Sequence, residues 1–266
     1  MNSAQRKAYL EAMQIDTWRR RGSPAPTSTP VSTPMPVPVS TPMPVPVSTP
    51  VPVPVTMPVS VSTPMPMPMP MPPQLAPNPA ATADWAELER LVAGCRRCAL
   101  CETRRHTVFG VGDRRARWFV VGEAPGGDED RQGEPFVGRA GQLLNAMLRA
   151  IGLERDQVFI ANVLKCRPPN NRDPLANEAE ACLPYLERQL ALVEPRLVLV
   201  VGRIAAQNLL STDAPLARLR GRVHRRGDAG PPIVVTYHPA YLLRTPADKR
   251  KAWEDLKFAR EVAERG

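Results

Sequence analysis

The sequence predicts a three-layer α/β/α domain around a central parallel four-stranded sheet, preceded by a disordered Pro-rich linker. Four short runs, Trp118–Gly122, Val158–Asn162, Leu197–Gly202 and Ile233–Tyr237, are β-branched and almost continuously apolar, as strands buried on both faces must be. Helical patterns lie between them. Leu143, Leu144, Met147, Leu148 and Ile151 share one face ahead of Gly152, and residues 181–192 and 204–210 are patterned similarly. Strand and helix in alternation favour a parallel sheet with helices packed on its faces.

The chain has 266 residues and 33 prolines, and the prolines are concentrated ahead of these elements. From Gly22 to Ala83 there is no Asp, Glu, Lys or Arg, and a Val-Ser-Thr-Pro-Met/Val-Pro-Val-Pro unit recurs three times between Val31 and Pro54. Proline at that density removes amide donors and fixes φ, so neither a helix nor a sheet ladder forms and polyproline II is the default. At about 3.1 Å per residue, a straight segment of roughly sixty residues reaches on the order of 190 Å. Residues 23–83 therefore read as a linker. Residues 84–266 read as one domain, large enough to bury a core without disulfides. Residues 1–22 read as a short amphipathic interaction segment, with Leu10, Met13, Ile15 and Trp18 supplying its apolar side.

The net charge is +9, and Met1–Arg21 carries five basic and two acidic residues. That balance suits a polyanionic partner without identifying one. No stretch is long and apolar enough to span a membrane, and the first twenty residues lack the apolar core of a signal peptide. The expected location is the cytoplasm, in association with the nucleoid.

In parallel sheets, ligands gather beyond the carboxyl ends of the strands. The residues that end or follow the four runs are Glu123, Asn162, Gly202 and His238, three of them polar groups able to read or polarise a heterocycle. The first run opens into Gly122-Glu-Ala-Pro-Gly-Gly-Asp-Glu-Asp130 and then Gly133-Glu-Pro-Phe-Val-Gly138, a glycine-rich path whose backbone can pass close to a ligand. It has neither the Gly-Lys-Ser/Thr of a phosphate-binding loop nor the Gly-x-Gly-x-x-Gly of a dinucleotide fold. Four cysteines, Cys95 and Cys98 followed by Cys166 and Cys182, suit a metal better than disulfides in a cytosolic chain, and spacing alone favours zinc. Cys101 offers an alternative partner for Cys98.

Gly122-Glu-Ala-Pro-Gly126, Glu129-Asp130, Pro135-Phe-Val-Gly138, Asn162-Val-Leu-Lys-Cys-Arg-Pro-Pro-Asn-Asn-Arg172 and Tyr237-His-Pro-Ala-Tyr-Leu-Leu-Arg244 stand in order along the chain. Together they resemble the family 4 (iron–sulfur) uracil-DNA glycosylases, over essentially all of Gly94 to Arg260. The resemblance implies a monofunctional DNA repair hydrolase that cuts the N-glycosidic bond of a flipped-out uracil and leaves an abasic site. It implies a [4Fe–4S] cluster of structural role on Cys95, Cys98, Cys166 and Cys182, with Cys101 spare.

For the site, the resemblance implies that His238 hydrogen-bonds uracil O2, Phe136 stacks on the ring and Asn162 reads the O4 and N3–H edge. Glu129 would crowd C5 against thymine, with Gly122 and Ala124 beside the base. Leu242 or Leu243 would fill the vacated stack, and Arg167, Arg172 and Arg244 would meet phosphates. Ala124 stands where family 1 enzymes place an aspartate, which leaves Glu123 or the backbone alone to hold the attacking water. The Arg-rich loop 167–172 contains no histidine, so covalent trapping of DNA is not expected.

Uracil-containing DNA is thus the expected partner, a non-catalytic nucleic-acid-binding module of the same fold the rival reading, and a monomer the default. Residues 8–21 are similar to the peptide by which the psi subunit of the bacterial clamp loader docks onto the chi subunit, which would tether the enzyme to replication.

Overall fold

The computed structural model describes residues 79–227 and 230–265. The interaction segment 1–22 and the linker up to residue 78 lie outside the described residues. Among the described residues six strands form one sheet: β1 (Val111–Gly112), β2 (Trp118–Gly122), β3 (Phe159–Asn162), β4 (Leu197–Val201), β5 (Val223–His224) and β6 (Ile233–Thr236). Their spatial order is β1-β3-β2-β4-β6-β5. The four central strands are parallel, in agreement with the sequence pattern, and every residue in them is buried.

The two edge strands are antiparallel and have no counterpart in the sequence pattern, because a two-residue pairing leaves no periodicity to read. β1 depends on close approach. Gly112 has φ +120, and a Cβ there would lie 1.8 Å from the carbonyl oxygen of Val158.

Among the described residues eight helices connect and cover the sheet: α1 (Trp85–Ala93), α2 (Gly127–Gln132), α3 (Arg139–Ala150), α4 (Ala176–Val193), α5 (Arg203–Leu210), α6 (Leu216–Leu219), α7 (Pro239–Arg244) and α8 (Lys249–Arg265). Alternate strand residues serve the two sides. Val120, Ile160, Leu199 and Val234 pack with Leu144, Met147 and Leu148 of α3 and Trp253 and Leu256 of α8. Phe119, Phe159, Val198 and Val235 pack with Leu186 and Val193 of α4 and Ala205 and Leu209 of α5. Each such fully buried aliphatic side chain contributes about 1.5–3 kcal/mol, so the layers are fixed by the pleat itself.

A third cluster ties α1 to α4 through Leu88, Val92, Leu100, Leu164 and Tyr185, with Cys166 and Cys182 inside it. The folded part also begins earlier than the composition suggests. Pro79–Thr82 forms a 3-10 turn with Ala80 fully buried, and the Arg188 Nε–H donates to the carbonyl of Ala83 at 2.6 Å. Residues 79–83 therefore belong to the domain, not to the linker: proline-rich composition runs on into ordered backbone and hides the boundary. Asp84 then caps α1, accepting the Glu87 N–H at 2.9 Å.

Candidate active site

β2, β3 and β6 end at one edge of the sheet, with Gly122 opposite Asn162 in the parallel ladder. Beyond that edge lies a cleft of about 400 Å³, lined among others by Glu123, Ala124, Glu129, Phe136, Asn162 and His238. A Cβ on Gly122 would lie 2.2 Å from Oδ1 of Asn162 and 2.6 Å from Cζ of Phe136, so only glycine lets these two side chains meet over the strand end. Asn162 is buried, and its Oδ1 has no hydrogen-bond partner among the described residues. Such an orphan acceptor costs about 1–3 kcal/mol unless a ligand donor satisfies it. Phe136, held at φ +54, stands with its ring centroid 5.7 Å from that of His238.

His238 is the N-cap of α7, and its Nδ1 accepts the Ala240 N–H at 3.1 Å. With Nδ1 an acceptor, the neutral ring carries its proton on Nε2. Burial, then the charge of Arg244, pushes the imidazole down to about 4 against the opposing pull of Glu129. The ring is thus a neutral donor at working pH. Glu123 moves the other way: burial, then the nearby Asp173 carboxylate, raises it to about 7, with Arg203 opposing.

Glu129 lines the cleft, and its carboxylate is bound by backbone amides. Its Oε2 accepts the Gly126 N–H at 3.1 Å and its Oε1 accepts those of Val137 and Gly138 at 3.0 and 3.2 Å. One carboxylate thus ties two loop segments together, a role with no signature in the sequence.

Two of the residues expected to touch DNA are engaged within the protein. Leu242 is 1% exposed within the α3–α8 core, so it has no side chain free to enter a base stack; Leu243, on the adjacent helical phase, is only partly buried. Arg172 lines the cleft, but its guanidinium forks onto the buried Glu178 at 2.8 and 2.6 Å and also reaches the Asp173 carbonyl, so it is committed to the protein. Arg244 is exposed at the rim. Arg167 is half-buried, its Nε bonded to Asn171 Oδ1 at 2.8 Å. Asp173 and Tyr241 also line the cleft. Their neighbours Arg172 and His238 marked the loops, but no chemical pattern singled them out.

Cys95, Cys98, Cys166 and Cys182 line one small enclosed pocket with Leu100, Leu164 and Tyr185, whereas Cys101 is not in its lining. The Cys166 sulfur accepts from Arg104 Nη1 and the Cys182 sulfur from the Lys165 backbone N–H, each at 3.1 Å. Burial raises the Cys98 and Cys166 thiols and pushes Cys182 up to about 12. Burial thus disfavours uncompensated thiolates here, and an all-sulfur donor set with N–H donors aimed at it has the chemistry that suits a soft metal centre, although no group of three or more His, Cys, Asp or Glu among the described residues is arranged as a metal-ion site.

A parallel sheet that presents an unsatisfied amide, an aromatic face and a neutral histidine donor at its carboxyl edge defines a protein built to hold a planar heterocycle. The chain belongs to the uracil-DNA glycosylase superfamily, whose profile matches residues 109–257. It is 45% identical to the Type-4 uracil-DNA glycosylase of Archaeoglobus fulgidus, covering 66% of this chain and 92% of that one. It is 42% identical to the Type-4 uracil-DNA glycosylase of Sulfurisphaera tokodaii (66% and 84% covered) and 38% identical to that of Thermotoga maritima (64% and 89%). Among the described residues no helix is long and apolar enough to cross a membrane.

Proposed function

We infer that this chain is a uracil-DNA glycosylase of the iron–sulfur type, hydrolysing the N-glycosidic bond of an extruded uracil. The observation that carries the reading is the buried, unpartnered Oδ1 of Asn162 against Phe136 at the end of β3. Uracil offers N3–H to that oxygen and O4 to the amide NH2. Cytosine reverses both groups, and each mismatched polar contact costs about 1–3 kcal/mol.

As the bond from C1′ to N1 breaks, its electron pair passes into the departing ring and charge accumulates on O2. The Nε2–H of His238 is a hydrogen-bond donor fixed in advance by the Ala240 N–H, so it stabilises that charge without reorganisation. Phe136 covers the face of the base. Water then adds to C1′, and Glu123 in the cleft orients it and takes up its proton. The carboxylate of Glu129, held by three backbone amides, stands against C5 and excludes the thymine methyl. Arg244 and Arg167 meet phosphates, and Leu243 enters the vacated stack.

Cys95, Cys98, Cys166 and Cys182 would hold a [4Fe–4S] cluster. Bound there, it ties the segment after α1 to the β3 loop and α4, a structural role.

The test is release of uracil from an oligonucleotide carrying one U·G pair, with His238→Ala as control. Cleavage after alkali that falls at least about a hundredfold in the control supports the reading. No cleavage by folded, iron-loaded protein would favour a non-catalytic nucleic-acid-binding module. The docking of residues 8–21 on the chi subunit is a separate proposal. Capture of chi by a Met1–Gly22 peptide, lost with Trp18→Ala, supports it; failure to capture ends it.

A further inference from the structure

Phe136 is one of five non-glycine residues with positive φ among the described residues, and with Asn171 one of the two that line the cleft. A strained backbone persists only where its surroundings over-determine it. On one side Glu129 Oε1 accepts the N–H groups of Val137 and Gly138, the two residues that follow the ring. On the other stands Arg155, in a 3-10 turn (Arg155–Gln157) between α3 and β3. Its Nη2 donates to the Pro135 carbonyl at 2.6 Å and its Nη1 to the Phe136 carbonyl at 3.3 Å. Asn145 of α3 accepts from the same Nη1 at 3.2 Å, which aims the fork. Gly141 of α3 closes the arrangement from behind: a Cβ there would lie 1.8 Å from the Phe136 carbonyl oxygen.

We propose that Arg155 is a positioning residue for the reaction: its guanidinium, forked across the carbonyls of Pro135 and Phe136, holds the left-handed backbone that presents the Phe136 ring to the extruded base. Arg155 does not line the cleft, so it acts through Phe136 and not on the substrate. A planar fork reaches two carbonyls at once, which the single ammonium of lysine does not reproduce. The proposal rests on the reading that Phe136 stacks on uracil.

The test is a double-mutant cycle in single-stranded substrate, where no duplex has to be opened. Arg155→Ala is expected to lower kcat/KM roughly tenfold or more, the loss of two hydrogen bonds from a charged donor. It should weaken inhibition by free uracil in parallel, and Arg155→Lys should recover only part of either loss. In a Phe136→Ala background, Arg155→Ala should change kcat/KM by no more than about twofold, since coupled residues are non-additive. Additive losses, or full rescue by lysine, would overturn the proposal. Should Arg155→Ala fail to fold by circular dichroism, the same cycle run with Arg155→Lys and with Asn145→Ala decides it. Wild-type protein that releases no uracil refutes the glycosylase reading instead, so the two failures are distinguishable.

Discussion

A Cβ on Gly122 would fall 2.2 Å from Oδ1 of Asn162, closer than any side chain can stand. The last residue of β2 is thus kept bare by the residue opposite it on β3. Gly122→Ala is expected to displace Asn162 and Phe136 together and to lower kcat/KM by at least about a hundredfold, as misplacement on the ångström scale does. The strand ladder itself survives, so a thermal melt should show a loss of only about 1–3 kcal/mol. Activity within threefold of wild type would mean that Asn162 and Phe136 do not read the base from this geometry.

The two perturbed acids of the cleft act on stability with opposite signs. His238 titrates at about 4 in the folded chain against 6.5 unperturbed, so between these values only the unfolded chain binds the proton, and stability falls as pH drops from 6.5 to 4, by at most about 3 kcal/mol. Glu123 titrates at about 7 against 4.5, so the folded chain keeps a proton that the unfolded one releases, and stability falls as pH rises from 4.5 to 7, by a similar amount at most. Glu123→Gln should therefore be more stable than wild type at pH 8 and little changed at pH 4 in urea unfolding.

For catalysis the same groups predict one limb. The rate should rise through about pH 7 as Glu123 ionises, and no limb from His238 should appear above pH 5. Glu123→Gln should flatten the profile while leaving a fraction of the rate. Persistence of the limb in that variant would remove Glu123 from the reaction.

How much of this was legible in the sequence varies with the range of the interaction. β2, β3, β4 and β6 were readable because burial on both faces demands unbroken apolar runs, and their ends placed Glu123, Asn162 and His238 at one edge. The fork of Arg172 onto Glu178 joins a loop to the first turn of α4, and no local pattern announces it. Leu242 and Leu243 differ by one step of helical phase on α7, whose short length gives no periodicity from which to set it. Pro79–Ala83 packs against α4, far along the chain, so composition alone assigned it to the linker.

That single step of phase separates two leucines in burial, and a difference in function is expected to follow. Leu243→Ala should leave uracil release from single strands nearly unchanged and reduce it in duplex, where a wedge is needed to hold the extruded state. Leu242→Ala should instead cost about 2–5 kcal/mol of stability through a core cavity, with no selective loss on duplex. Equal duplex selectivity in both variants would contradict the assignment.

Salt dependence separates the arginines. Arg244, exposed at the cleft rim, should contribute about one unit to the slope of log K against log salt in DNA binding, and Arg244→Ala should remove it. Arg172→Ala should leave the slope unchanged and lower stability by about 1–3 kcal/mol, because the buried Glu178 keeps only the Leu175 N–H as partner. A reduced slope for Arg172→Ala would show that DNA draws its guanidinium away from Glu178.

Cys182 is buried with its thiol pushed up to about 12, so a compensating cation is what would favour its thiolate. If the proposed cluster is bound, Cys182→Ser should lose its iron and visible absorption, and with them the tie between α4 and the β3 loop. Cys101→Ser should keep both, since Cys101 is not in the lining of the pocket. Iron analysis and visible absorption of freshly purified protein decide the matter: iron retained by Cys182→Ser, or lost from Cys101→Ser, would move the ligand set to Cys101, and zinc in place of iron would leave the four thiols holding a different metal.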